Sequence, residues 1–420
     1  MELPSAGSRG LFSFHAGGQA ELLDVDLINE AAGVLDGVRV IDMATVLAGP
    51  GAARYLADYG ADVIKVERPG GDATRRMGWT VPGEQDSLIW KLANRGKRAI
   101  TIDLASSEGL AEMRQLLDGA DLLVENMRPG KLEALGLGPD VIWKSNPQLV
   151  VLRVSGFGQD GPYAQRPGFA TIAEAMSGFS GLLGEPDGPP LLPPIALTDE
   201  VTALVGAFAA MLALRHAERT GHGQVVDVNL LESVLQIMGP LPAAWVQMNY
   251  LQPRLGSGIP YTVPRGTYRC SDGVWVAISA SSETVARRLM DLLGLAGDPR
   301  FAGFQGRSQH REELERLTRE WVGARSSTEV LERFVAMDAA IAPIYSMAEV
   351  VQDPQIVARG ALVDVDGMAM QNVVARLSRS PGRIRSVGPT LDAHAAEIRR
   401  ELVDRKDPDG HSRPPNSSGG

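Results

Sequence analysis

Between residues 38 and 155 the chain alternates short β-branched runs with helical stretches, and this alternation limits the fold more than any other feature. Val38 to Met43 is strand-like and bounded by Gly37, Gly49-Pro50-Gly51 breaks the chain, Ala52 to Tyr59 reads as a helix, and Asp62 to Glu67 is a second strand. Gly60 stands where a helix end calls for a left-handed residue. Strand, helix and strand in this order form a parallel crossover unit. The pattern continues through strand-like Ala99 to Leu104, helical Ser107 to Leu117, and strand-like Asp121 to Glu125 and Gln148 to Ser155. It predicts an α/β fold whose mostly parallel sheet is covered by helices on both faces.

Further along, Thr171 to Leu183 and Glu200 to Arg215 read as helices, and Gln224 to Val228 and Val274 to Ser279 as strands. Pro253 to Thr267 is a Gly- and Pro-rich loop, and residues 282 to 351 read as amphipathic helices. Residues 1–34 form an N-terminal extension without a sustained period, and residues 391–420 form a C-terminal tail, disordered at its polar end. Between them the expected division is a large domain from 35–222 with 330–390 and a small domain with linkers from 223–329.

Composition closes off several functions. With 41 Lys and Arg against 51 Asp and Glu, the net charge is −10, which gives no footprint for nucleic acid. One cysteine, Cys270, allows no internal disulfide, and the six histidines have no ligand spacing, so no metal is expected. The most apolar stretch, Val201 to Leu214, falls short of the roughly 18 residues of a spanning helix, and the N-terminus lacks a secretory pattern. These readings point to the cytoplasm and to no membrane association.

Gly156 to Gly161 spells GxGxxG after a strand, but Pro162 follows at once, so the segment is a glycine turn rather than the opening of a dinucleotide-binding helix. Basic residues near strand ends carry more information, because ligands of open α/β sheets bind there: Arg68, Lys97, Arg98 and Arg128 are candidates to meet phosphates. Asp199 precedes a long apolar helix, as a first-turn acid or as a carboxylate kept ionised by the helix N-terminus.

Several strings together resemble the family III CoA-transferases, the group of carnitine, bile-acid and formyl-CoA transferases. They are Leu35 to Asp42, Leu47-Ala48-Gly49-Pro50, Leu56 to Glu67 with Gly71-Asp72, Asn94 to Arg98, Val124 to Gly130, Gly156 to Arg166 and Gly221 to Val228. The resemblance spans residues 35 to 390. It implies a Rossmann-like large domain with a parallel sheet, a smaller α+β domain, and an interlocked-ring homodimer. It also implies acyl-CoA and a carboxylic acid as substrates, with coenzyme A carried as substrate and product and no tightly bound cofactor. By the same resemblance Asp199 is the catalytic nucleophile, passing through mixed anhydrides and an aspartyl-CoA thioester. Coenzyme A would be held by Arg68, Lys97, Arg98, Ile102, Asn126, Met127 and Arg128. Leu47, Phe169, Ala170, Gly256, Gly258 and Tyr261 would line the substrate pocket, with Gly256 and Gly258 in a loop over the nucleophile.

Some positions depart from the family pattern. Two basic CoA contacts of formyl-CoA transferases fall on Ala105 and Ala134, and a Gln near the acyl group becomes Leu47. Leu47, Phe169, Ala170 and Tyr261 imply a pocket roomier and more apolar than one for formate or oxalate, suited to a medium, branched or aromatic acid. Ala170 ends Arg166-Pro167-Gly168-Phe169-Ala170 where many relatives carry an acid. Glu174 is the acid one helical turn on, at a position that reads as solvent-facing. The alternatives are a CoA-binding paralogue with weak or no turnover and a 2-methylacyl-CoA racemase. The racemases place a histidine at what is position 169 here, and Phe169 can neither donate nor accept a proton.

Overall fold

A computed structural model describes residues 33–404, so the expectations for 1–32 and for 405–420 lie outside the described residues. The large domain is built on a sheet of six parallel strands in the order β3-β2-β1-β4-β5-β6. They are β1 (Arg39–Asp42), β2 (Asp62–Glu67), β3 (Arg98–Thr101), β4 (Leu122–Glu125), β5 (Val150–Ser155) and β6 (Val225–Asn229). Central strands are apolar on both faces, as a doubly covered sheet requires: Leu122, Leu123, Val124, Val150, Val151 and Leu152 are fully buried.

One face is covered by α1 (Ala48–Ala57) and the 24-residue α5 (Leu197–Thr220). These two helices approach closely because the residues between them are small. A Cβ on Gly51 would stand 2.9 Å from Ala203 Cβ, and one on Gly206 3.3 Å from Ala52 Cβ. The opposite face carries α3 (Ser107–Asp118), capped by Ser106 on the Gly109 N–H, and the C-terminal α12 (Ala395–Asp404). Two shorter helices complete this part of the chain: α2 (Leu88–Ala93), and α4 (Ala170–Met176), which packs against α5.

The chain then leaves through α6 (Leu230–Ile237) and α7 (Leu241–Met248). A second core follows around an antiparallel sheet, β7 (Arg265–Arg269), β8 (Trp275–Ser279) and β9 (Ile341–Pro343), packed by α8 (Glu283–Leu292), α9 (Gly303–Gln309), α10 (Arg311–Gly323) and α11 (Ser327–Ala336). A hairpin of β10 (Leu362–Val365) and β11 (Met368–Gln371) precedes the return to the large domain.

Several expectations change. The boundary at 222 is too early, because Val225–Asn229 is the sixth strand of the large sheet, and that at 329 is also too early, because Val330, Phe334 and Ile341 pack in the small core. The tail begins later than 391: Ala395, Ile398 and Leu402 are buried on the sheet. Helix α1 starts at Ala48 and includes Pro50 at its third residue, where the missing N–H needs no intrahelical acceptor. Gly178, left-handed, ends the helix expected over 171–183 after Met176. Helix α5 runs longer than its sequence suggested, and by length and apolar composition alone it could span a bilayer. In the fold its Ala203, Ala207, Ala210 and Ala213 are buried in the core instead.

Candidate active site

In an open parallel sheet the ligand crevice opens at the carboxyl edge where strand order reverses, here between β1 and β4. Its walls are the segments that follow those two strands, and Asn126 laces them together. Its side chain accepts the Thr45 N–H at 2.9 Å and donates to Thr45 O at 2.8 Å. From below, the Asp42 carboxylate accepts the Ala44 N–H at 3.0 Å, and Lys65 donates to Ala44 O. Lys97 donates to Asp42 at 2.8 Å, to Asn94 at 2.9 Å and to Pro50 O at 2.7 Å. This lattice holds Val46 at φ 68°, a left-handed conformation that a β-branched residue resists.

Two adjoining cavities flank that loop and share Thr45, Val46 and Met127. The first, about 440 Å³, is lined by Arg68 beyond the end of β2, by Ile102 beyond the end of β3, and by Asp72 and Ala105. The second, about 510 Å³, brings together Leu47, Asn126, Arg128, Arg166, Phe169, Ala170 and Asp199. Its far wall is set by a backbone contact only glycines permit: a Cβ on Gly156 or on Gly168 would come within 2.7 Å of the other's Cα. The glycine turn read in the sequence therefore fixes where Phe169 and Ala170 stand.

Asp199 is the third residue of α5, whose N-cap, Ala196, offers no side-chain acceptor. Burial, followed by the charges of Glu174 and Glu200, pushes its carboxyl up to about 6. The sequence suggested a carboxylate kept ionised at neutral pH, and at about 6 it is still mostly ionised there, although loss of water and two neighbouring acids raise it above the ordinary range. Glu200 is held by Arg54 and by Tyr55, each at 3.0 Å. Glu174 is buried rather than solvent-facing, because α4 packs against α5; it accepts a hydrogen bond from Thr198 Oγ1 at 2.8 Å.

Arg128 and Arg166 are exposed at the mouth of the second cavity, with no carboxylate partner among the described residues. Arg166 stacks on the Tyr163 ring at 3.8 Å. The cavity is thus less apolar than Leu47, Phe169 and Ala170 implied.

Two of the basic candidates are corrected. Lys97 is buried, with burial lowering its ammonium to about 8, and its donors are committed to Asp42, Asn94 and Pro50. Arg98 opens β3, at the amino edge of the sheet, and binds Asp62, Glu397 and Glu401. Arg68, Ile102, Asn126, Met127 and Arg128 do line the cavities. Gly256, Gly258 and Tyr261 line neither; Gly256 lies against Glu185, and Gly258 against Arg311. Sequence reasoning missed Thr45, Val46 and the Arg166 contribution, for which only the turn after β1 and the RPG string gave a signal.

Comparison with known proteins agrees with this architecture. Residues 35–395 match the family described as CoA-transferase family III. The beta subunit of succinyl-CoA--L-malate CoA-transferase from Chloroflexus aurantiacus is 41% identical over 381 residues, covering 88% of this chain and 94% of that one. The succinate--glutarate CoA-transferase of Agrobacterium fabrum is 37% identical over 391 residues, covering 88% of this chain and 95% of its own. A crystal structure of a CAIB/BAIF family protein from Brucella suis superposes with a TM-score of 0.79 at 34% identity, covering 88% of this chain and 100% of that chain. The chain belongs to CoA-transferase family III and is an acyl-CoA:carboxylate CoA-transferase.

Proposed function

We propose that this family III CoA-transferase moves CoA between the thioester of a short dicarboxylic acid and a second short dicarboxylate, with Asp199 as nucleophile. The observation that carries the reading is the second cavity, where the Asp199 carboxylate shares a space with two guanidiniums, Arg128 and Arg166, that have no carboxylate partner among the described residues. One carboxylate of such a substrate reacts, and the other meets a guanidinium, which is built for planar, two-point contact with it. The names of the relatives from Chloroflexus and Agrobacterium, which carry succinate, malate and glutarate, support this class over the branched or aromatic acid suggested by sequence alone. In the first cavity Arg68 and Ile102 hold the nucleotide end of CoA, and Met127 and Asn126 border its path to Asp199.

The steps balance without a redox partner. An Asp199 oxygen attacks the thioester carbonyl, the C–S bond breaks with its electron pair on sulfur, and a mixed anhydride forms. The thiolate then attacks the Asp199 carbonyl, the C–O bond breaks, and the donor acid leaves as a carboxylate, giving an aspartyl-CoA thioester. The acceptor carboxylate reverses this sequence, restoring free Asp199 and a new acyl-CoA. Each exchange is split into steps of similar difficulty. N–H groups of the first turn of α5, which lack intrahelical acceptors, suit the tetrahedral oxyanions.

A second chain belongs in the reading. Leu204, Val205, Phe208, Met211 and Leu212 form an exposed stripe on α5, and Trp245, Val246, Met248 and Leu251 extend the apolar surface. A lone soluble chain rarely leaves that much uncovered. An interlocked homodimer would bury it and would be the route by which the Gly256 and Gly258 loop reaches an Asp199.

The test incubates the purified protein in heavy water with succinyl-CoA and a panel of mono- and dicarboxylic acids, following every thioester by mass spectrometry. New dicarboxylyl-CoA without deuterium is expected, with Arg166→Gln or Arg128→Gln raising KM for the acid tenfold or more. Transfer to monocarboxylates only would sink the substrate class. Deuterium at the α-carbon without exchange would mark a racemase.

A further inference from the structure

Glu174 is a buried carboxylate, 3% exposed, that forms no ion pair among the described residues. Acids so deeply buried are ordinarily paired with a cation. Here the polar contact of its side chain is the Thr198 hydroxyl at 2.8 Å, one residue before Asp199. Thr198 is itself 1% exposed, and its carbonyl accepts from Thr202 Oγ1 at 2.8 Å, so the contact is built into the first turn of α5.

Among the described residues, the neighbouring elements supply no compensating charge. On α1, Arg54 is committed to Glu200, with Tyr55 on the same carboxylate. On α6, which packs against both α4 and α5, the sole charged residue is Glu232, an acid whose charge acts on Asp227. On β5, Arg153 is engaged by Glu125 and Glu133. Arg128 and Arg166 face the cavity and bond neither acid. A hydroxyl clamp between two helices needs only an acceptor, and a glutamine would supply one without the cost of a buried charge. The charge itself therefore calls for a role.

We propose that Glu174 is a positioning residue for Asp199, fixing the first turn of α5 through Thr198 and using its buried charge to favour the acylated, uncharged forms of Asp199 over the free carboxylate. This rests on the reading of Asp199 as nucleophile. When Asp199 attacks the thioester, its negative charge passes to the departing CoA sulfur, and its repulsion with Glu174 is released. The same repulsion raises the basicity of Asp199, and with it the driving force for attack.

The experiment compares wild type with Glu174→Gln, which keeps the acceptor for Thr198 and removes the charge. Succinyl-CoA is the probe, and two quantities are read: the pH profile of kcat/KM for its consumption, and the covalent adduct on Asp199 by mass spectrometry. The expected result is an acid limb moved down by about one pH unit and acylation at pH 8 slowed about tenfold, with a melting temperature at pH 6 no lower than wild type. A limb that stays in place with rates within twofold overturns the role of the charge. Should Glu174→Gln not fold, Glu174→Asp withdraws the charge by one methylene, and its limb moves the same way by a smaller amount; no movement overturns the proposal. Absence of any adduct on wild-type Asp199 removes the nucleophile, and this role with it. An adduct on wild type with an unmoved limb in the variant removes only the role of Glu174.

Discussion

Two carboxylates, Asp42 fully buried and Asp199 partly so, meet opposite electrostatic fates. Asp42, below the loop that enters α1, is 0% exposed and faces two ammonium groups, Lys97 at 2.8 Å and Lys65 at 3.6 Å. Asp199, beside the far cavity, faces two further acids, and the cation on α1, Arg54, is bound to one of those acids rather than to Asp199. Both sites cost desolvation, yet only the first recovers it by pairing. Compensated charge builds the scaffold that holds the loop, and uncompensated charge lines the second cavity, at the residue proposed as nucleophile. The difference separates roles that a list of charged residues in the sequence merges.

Three changes press on this contrast. Asp199→Asn should lower turnover a thousandfold or more, measured with succinyl-CoA, while the protein stays folded. It should also be more stable than wild type at pH 8. The folded-state pKa of Asp199 lies above its ordinary value, so the stability it contributes is present below about 4 and lost as pH rises through about 6. Since the group is partly exposed, the gain at pH 8 should be about 1 kcal/mol, seen by urea melts at several pH values. If the variant is less stable at pH 8, Asp199 is compensated after all, and the contrast fails.

Lys97→Met should act the other way, lowering stability by about 3 kcal/mol because Asp42 is left with only the more distant Lys65, or preventing folding altogether. A well-folded variant with weakened CoA binding would return Lys97 to the cofactor site. The smallest effects compare two arginines. Arg68→Gln should raise KM for acyl-CoA a few-fold at unchanged stability, because Arg68 lines the first cavity. Arg98→Gln should leave KM alone and cost about 1 kcal/mol, because its partners Asp62 and Glu401 lie at the other edge of the sheet.

Much of the large domain was legible because parallel strands buried on both faces must be written as short β-branched runs between helices. The strand Asp62–Glu67 and the helix beginning at Ser107 stand where the periodicity put them. The last helix was missed although Ala395, Ile398 and Leu402 recur at helical spacing, because they stand beside a polar tail and find the sheet only in the fold. Within the site, Asp199, Arg68 and Ile102 were marked by motif and strand end, and the cavities include all three. Glu174 was misjudged, because exposure depends on what covers a helix, and α5 covers that face of α4 from a distant part of the chain.

The sequence by itself determined the alternation, the parallel sheet, the turn glycines and the residues that mark the family. Those follow from local sterics and from a period of two or of 3.6, which a linear reading can count. Only the tertiary structure decided which charges are committed inside and which open onto the cavities. Lys97 and Arg98 are neighbours in sequence and resemble Arg68 and Arg128 in type, yet the first pair is held by Asp42 and Asp62 while the second opens onto the cavities. The reason is physical: an ion pair and the water it excludes depend on groups brought together from separate segments, and no local pattern encodes that meeting.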